Sequence, residues 1–288
     1  MFTTVIGSYP LSYAHLGAAA VDRAVRDQLA AGIDLVSDGQ TRTDMIGYFA
    51  AAIEGYALGP QDKSFITGPI GHGHPDVFLT DLALARGLAP RVKGIVTGPV
   101  TLVLSSRIKS GYAGYRDEQV YLDTAAALLE IARALQAGGA EWIQIDEPYL
   151  SVGAPLAIAK KAIETISLNL SVPVALHVCG TVVPIFDWLL DLQGVTLLSH
   201  GFKGEDNLAL LDHAGLVHSG KMLGLGCIDT KKPRVETVAE IAALLQRAQR
   251  LLPAERLVVH PDCGLRTLTQ PVALAKLKNM VAAARLVF

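Results

Sequence analysis

The sequence predicts an α/β chain folded as a single (β/α)8 TIM barrel over residues 1–288. Three observations carry this: eight short β-rich runs, Ala- and Leu-rich helical segments between most of them, and runs apolar on almost every residue. Near-continuous apolar strands suit a parallel sheet covered by helices. Eight βα units in 288 residues suit a closed barrel. A doubly wound sheet would place a GxGxxG phosphate turn after the first strand, where this chain reads Gly7-Ser8-Tyr9-Pro10.

The predicted strands lie at 3–7, 34–37, 92–97, 142–145, 172–177, 195–199, 222–226 and 256–260. The clearest helices, at 18–31, 118–137, 156–170, 235–252 and 271–286, repeat apolar residues every three or four positions, the period of an amphipathic helix. Pro271 suits a first helical turn, and Gly138-Gly139 a helix end. Residues 56–88, between the second and third strands, read as an insert over the barrel mouth, with the Gly/His/Pro loop GPIGHGHPD inside it. No linker, repeat or low-complexity tract divides the chain.

The composition is 51% hydrophobic and 18% charged, which predicts a large core and excludes wholesale disorder. A formal charge of −2 gives no basis for binding nucleic acid or an anionic membrane. No run approaches about 18 uninterrupted apolar residues, so no membrane span is expected. The opening MFTTVIGSYP lacks the basic-then-apolar order of a signal peptide. Three cysteines, 179, 227 and 263, do not make a disulfide framework. The expected compartment is the reducing cytoplasm, where free thiols are available for metal binding or chemistry.

A barrel of this kind carries its active site at the C-terminal ends of its strands. The residues there are Ser8; Asp38 and Gln40; Gly98 and Pro99; Asp146 and Glu147; His177 and Cys179; Ser199 and His200; Asp229 and Lys231; Asp262 and Cys263. In Leu176-His177-Val178-Cys179-Gly180, alternate side chains at a strand end point the same way. Cys263 joins them from the eighth strand. Two thiolates and an imidazole favour zinc, and three protein ligands leave a fourth position open, as catalytic zinc requires. A thiol bound there is deprotonated, and the thiolate is the nucleophile. The expected reaction is attack by a substrate sulfur on an electrophilic carbon.

Taken singly, the same residues read differently. Cys179 alone suits a small buried hydrophobe and His177 a hydrogen-bonded strand end; the combination with Cys263 favours a metal. Cys227 reads as packing. His72 and His74 read as a solvated loop, and Lys231, Lys232 and Arg234 as a solvated helix start. His200 stands between a polar neighbour of the site and a ligand. His15, His213, His218 and His260 read as structural.

Seven stretches together resemble the C-terminal catalytic domain of the cobalamin-independent methionine synthases, in particular its short stand-alone forms. They are TTVIGSYP, SDGQTRTDM, VKGIVTGPVT, IQIDEPYL, LHVCG, GLGCIDTKKPRVE and HPDCGL, running from residue 3 to residue 265. The resemblance implies a zinc-dependent (β/α)8 enzyme that methylates homocysteine to methionine. It implies His177, Cys179 and Cys263 as zinc ligands, Asp146 as the catalytic-site residue holding the substrate amino group, and Ile6 and Ser8 as contacts to its carboxylate. The family has a further glutamate ligand after strand six; here Ser199-His200-Gly201 stand near that place, which makes His200 a candidate catalytic residue or ligand. A glutamate common in the family is Gln40 here, a candidate substrate contact through its amide. The family histidine after strand seven is Lys231 here. The long relatives carry an N-terminal half that helps bind a folate donor. Its absence from this chain leads to the expectation of methylcobalamin, or a corrinoid on a partner protein, as methyl donor. The competing readings are a related barrel methyltransferase acting on another thiol, such as coenzyme M, and a non-catalytic zinc- or thiol-binding protein. A porphyrinogen-type decarboxylase leaves the three metal-binding residues without a purpose.

Overall fold

The computed structural model describes residues 1–10, 17–60 and 63–288; His15 lies outside them. In chain order, β1 (Phe2–Thr3) leads through α1 (Ala18–Ala31) and α2 (Met45–Ala50) to β2 (Tyr56–Leu58) and β3 (Ser64–Ile66). Next come α3 (Asp76–Leu88), β4 (Lys93–Thr97), α4 (Pro99–Leu104), β5 (Arg107–Ile108), α5 (Glu118–Ala137) and β6 (Trp142–Asp146). The chain continues with α6 (Leu156–Ser167), β7 (Val174–His177), α7 (Phe186–Leu190), β8 (Leu197–Gly201) and α8 (Ala214–His218). It ends with β9 (Met222–Gly226), α9 (Val238–Gln249), β10 (Leu257–His260) and α10 (Gln270–Val287).

Seven strands form one curled, all-parallel sheet in the order β1-β10-β9-β8-β7-β6-β4. The strand expected at 34–37 is reduced to two parallel bridges, Thr4 with Leu35 and Val36 with Val92. Side chains take the backbone donors on either side of it, which cuts the ladder short. Asp34 accepts from Thr3 N–H at 2.8 Å, and Ser37 N–H donates to Gln28 Oε1 at 2.9 Å. The first expected strand, 3–7, also shortens, because the carbonyls of Val5, Ile6 and Gly7 accept from the side chains of Lys93, Gln144 and Ser37.

The insert expected at 56–88 is only partly one. Tyr56–Leu58, Ser64–Ile66 and Arg107–Ile108 make a small separate sheet, β2-β3-β5, whereas α3 joins the helical layer against α1 and α5. Its buried Phe78, Leu82 and Ala85 follow the helical repeat. Helix ends also move. The Thr237–Glu240 capping box starts α9 after Thr237, later than the expected 235.

The larger apolar core lies between sheet and helices, with Val25, Leu128, Ile163, Leu245 and Leu277 fully buried. A second cluster, Leu35, Trp142, Ala175, Leu197 and Val258, packs with Phe2 and Met222 on the other face of the sheet. Two residues further along the strands, that inner face turns polar with Gln144, His177, Ser199 and His260, all buried. Among the described residues, no helix is long and apolar enough to cross a membrane.

Candidate metal and substrate site

The inner face ends in a cavity of about 70 Å³ lined by Ile6, Ser8, Gln40, Asp146, His177, Cys179 and Cys263, with Met45, Pro148 and Gly264 between them. Strand alternation accounts for the grouping: Asp146 and His177 are register partners at the ends of β6 and β7. His177 Nε2 lies 2.9 Å from Cys179 Sγ, which lies 2.8 Å from Cys263 Sγ. One ligand atom from each of the three falls within 4.8 Å of the others, close enough to share one ion. The donor set, one imidazole and two sulfurs, fits zinc. His177 Nδ1 faces Ser199 Oγ at 3.1 Å, leaving Nε2 directed at the sulfurs.

The electrostatics agree with a cation at this point. The adjacent Cys263 and burial push the Cys179 thiol well above its ordinary range, whereas the hydrogen bond from Cys179 pulls Cys263 down. The pair therefore shares a proton, and full ionisation needs a positive charge between the sulfurs. Burial drives His177 well below the usual imidazole range, so the ring is neutral and can ligate.

Beside His177 on the neighbouring strand, Asp146 accepts from Gln144 Nε2 at 2.6 Å. The same amide group donates to Ile6 O at 2.8 Å, and Gln144 Oε1 accepts from the buried Lys93 ammonium. Lys93 also donates to Val5 O. Burial raises the Asp146 carboxyl and lowers the Lys93 amine, so each needs the other to carry its charge. Gln40 has φ 43°, the only positive value among the described non-glycine residues, and its N–H is held by Asp38 Oδ1 at 2.9 Å. A left-handed glutamine has a conformational cost that its surroundings must offset. Gly264 is required by proximity: a Cβ there would lie 2.1 Å from Ser8 Oγ.

The other strand-end carboxylates are occupied by backbone. Glu147 accepts from Val100 N–H and Thr101 N–H, both at 2.8 Å, and caps α4. Asp262 accepts from the N–H groups of Phe202, Lys203 and Gly204. His200 is not brought to the cavity. Ser199 faces inward, so the next residue on β8 faces the helices: its ring meets Phe186 edge-on, Nδ1 lies 3.2 Å from Val178 O, and Nε2 is buried without a hydrogen-bond partner. Of the two readings of His200, polar neighbour or ligand, this alternation speaks against the ligand. Lys231 pairs with Glu205 at 2.6 Å on the rim of a second, more open cavity of about 290 Å³, which shares Cys179 and Cys263 with the first. His72 and His74 pair with Glu130 and Glu54 on the exposed loop. Cys227 is fully buried, its thiol toward His260 O.

Sequence reasoning missed Lys93 and Gln144, and it read His260 as merely structural. Each is a polar residue inside an apolar run, in VKGIVT, WIQID and LVVH. The signal was parity: Gln144 lies two residues before Asp146, so both face inward.

The family model for the catalytic domain of cobalamin-independent synthase matches residues 11–286. The methionine synthase of Methanothermobacter thermautotrophicus is 39% identical over 99% of both chains. The 5-methyltetrahydropteroyltriglutamate–homocysteine methyltransferase of Mycolicibacterium paratuberculosis is 31% identical over 98% of this chain but 42% of its own length. A B12-independent methionine synthase from a Shewanella species, solved with selenomethionine, superimposes with a TM-score of 0.84 at 23% identity, covering 99% of this chain and 97% of that one.

Proposed function

The chain belongs to the cobalamin-independent methionine synthase catalytic-domain family, and from that premise we propose that it is a zinc-dependent methyltransferase converting homocysteine to methionine. The observation carrying this is that His177, Cys179 and Cys263 converge on one point in the lining of a cavity that also holds the buried carboxylate of Asp146. Zinc held by those three residues would supply the positive charge that keeps a substrate thiol ionised at neutral pH.

The chain's own groups do the rest. Asp146 pairs with the substrate ammonium, whose arrival favours the ionised carboxylate that burial opposes. Backbone at Ile6 and the Ser8 hydroxyl take the substrate carboxylate, and the Gln40 amide adds a hydrogen bond to the amino group. Met45 and Pro148 give the methylene chain an apolar lining. The sulfur lone pair forms the new S–C bond, while the bond from the methyl carbon to its donor breaks and its electron pair stays with the donor. His200 has no part in this scheme.

We take the bridges at residues 35 and 36 as the eighth stave of a (β/α)8 barrel, since they meet both free edges of the sheet at Thr4 and Val92. The whole of 1–288 then serves as one catalytic domain. For the donor we favour a cobalt-bound methyl group, from methylcobalamin or a corrinoid on a partner protein. The 290 Å³ cavity beside the two cysteines offers it an open approach.

The test is zinc analysis of the purified protein combined with an assay of methionine formation from homocysteine, run with methylcobalamin and with a methyl folate. About one zinc per chain and turnover with methylcobalamin are expected. A metal-free, fully active protein would overturn the zinc reading, and turnover with the folate alone would overturn the donor.

A further inference from the structure

His177 can ligate a metal through Nε2 only if its proton sits on Nδ1. The structure contains a chain of groups that decides this. His260 Nδ1 lies 2.6 Å from Pro261 O, and a carbonyl only accepts, so Nδ1 carries the proton. The ring is fully buried, and burial keeps it neutral, so with its one proton on Nδ1 the other nitrogen, Nε2, is bare. That bare nitrogen lies 2.9 Å from Ser199 Oγ and must accept the hydroxyl proton. Ser199 Oγ then has only lone pairs to offer His177 Nδ1, 3.1 Å away, so His177 donates from Nδ1 and Nε2 is left unprotonated.

The contact between β10 and β8 crosses the intervening strand. Ser199 is the register partner of Gly224 on β9, and Gly224 that of Val258 on β10. A Cβ at 224 would lie 2.5 Å from His260 Nε2 and 3.0 Å from Ser199 Cα. The glycine opens the passage through which one ring reaches the hydroxyl.

We infer that Ser199 and His260 are positioning residues that lock His177 in the metal-ready tautomer before any ion arrives. The inference rests on the proposed metal-binding role of His177. Neither residue touches the substrate; both act through the ring they orient, and the geometry assigns them the support that metal-bound histidines receive from hydrogen-bonded neighbours.

The test is nitrogen NMR of the metal-free full chain with labelled histidine, followed by zinc titration. Wild-type protein is expected to show His177 protonated at Nδ1 and bare at Nε2. Ser199→Ala is expected to give a mixture of the two tautomers and to weaken zinc binding by roughly 10- to 100-fold. Ser199→Thr, which keeps the hydroxyl, restores both. His260→Phe frees the hydroxyl to turn and gives the same mixture. The wild-type spectrum is decisive without any variant: a proton on His177 Nε2 overturns the relay, as does an unchanged tautomer in folded Ser199→Ala. Should the wild type show the expected tautomer yet bind no zinc, the relay stands and the metal reading falls.

Discussion

Behind His177 stand a hydroxyl and a second imidazole; behind Asp146 stand an amide and a buried ammonium. The two adjoining walls of one cavity are supported by different chemistry, which suits the two roles proposed for them. A metal ligand must present a lone pair in a fixed direction, and neutral hydrogen bonds fix direction without placing charge in a low-dielectric interior. A carboxylate that is to meet an ammonium must ionise there, and a nearby cation helps it do so. The neutral wall should therefore respond to substitution in metal content, and the charged wall in substrate affinity.

The largest separation is expected from Cys263→Ser and Cys179→Ser. Each should lose the zinc and at least about 10³-fold of methionine formation, the scale of several kcal/mol that a catalytic metal supplies. Elemental analysis beside the activity assay checks this, and retained zinc in both variants breaks the comparison at its root. Asp146→Asn should keep its zinc while kcat/KM for homocysteine falls roughly 10²- to 10³-fold, as when one partner of a buried charge pair is removed. Loss of zinc in this variant would show that the walls are not separable.

The buried imidazoles on the two faces of the sheet also predict an acid liability. Burial holds His260 down at about 3 and His200 at about 4, both below the ordinary 6.5. Between those values and 6.5 the unfolded chain binds more protons, so each ring lowers stability as pH falls through that window and has no effect above it. The cost is about 2 kcal/mol per ring at pH 5. Burial pushes Asp38, Glu147 and Asp262 upward, which works the opposite way. The readout is therefore a difference: on going from pH 7 to pH 5, His200→Leu should gain about 2 kcal/mol relative to wild type in urea unfolding. A gap that stays constant means the ring is already charged when folded.

Lys93→Met tests the charged wall from behind. It should raise KM for homocysteine about tenfold with zinc unchanged, the scale of one lost hydrogen bond to a charged group. An equal fall in kcat with KM constant would place Lys93 in the chemical step instead. The smallest effect is expected from Gln40→Glu, which adds a carboxylate near the proposed ammonium position and should lower KM severalfold, about 1 kcal/mol, unless Asp38 at its backbone repels it.

The grouping of His177, Cys179 and Cys263 was legible in the sequence because these residue types are rare and sit at strand ends, where barrel geometry gathers them. Asp146 was legible for the same reason, although nothing in the sequence separates it from Glu147, which turns away to cap α4. His200 misled because one residue of register decides which face of β8 a side chain joins, and Ser199 holds the inward one. The supporting residues were hidden inside apolar runs, where a lone lysine or glutamine reads as noise until strand parity is applied. The strand at 34–37 was overdrawn, because apolar composition does not reveal that Asp34 and Ser37 divert the backbone donors around it.

Arg266, three residues beyond Cys263, donates to Gln40 O at 3.0 Å and also to Thr43 O. One guanidinium thus buckles the segment bearing a sulfur to the segment bearing the amide, across 226 residues of sequence. The cavity lining is thereby cross-braced: residues at opposite ends of the chain share a single clasp.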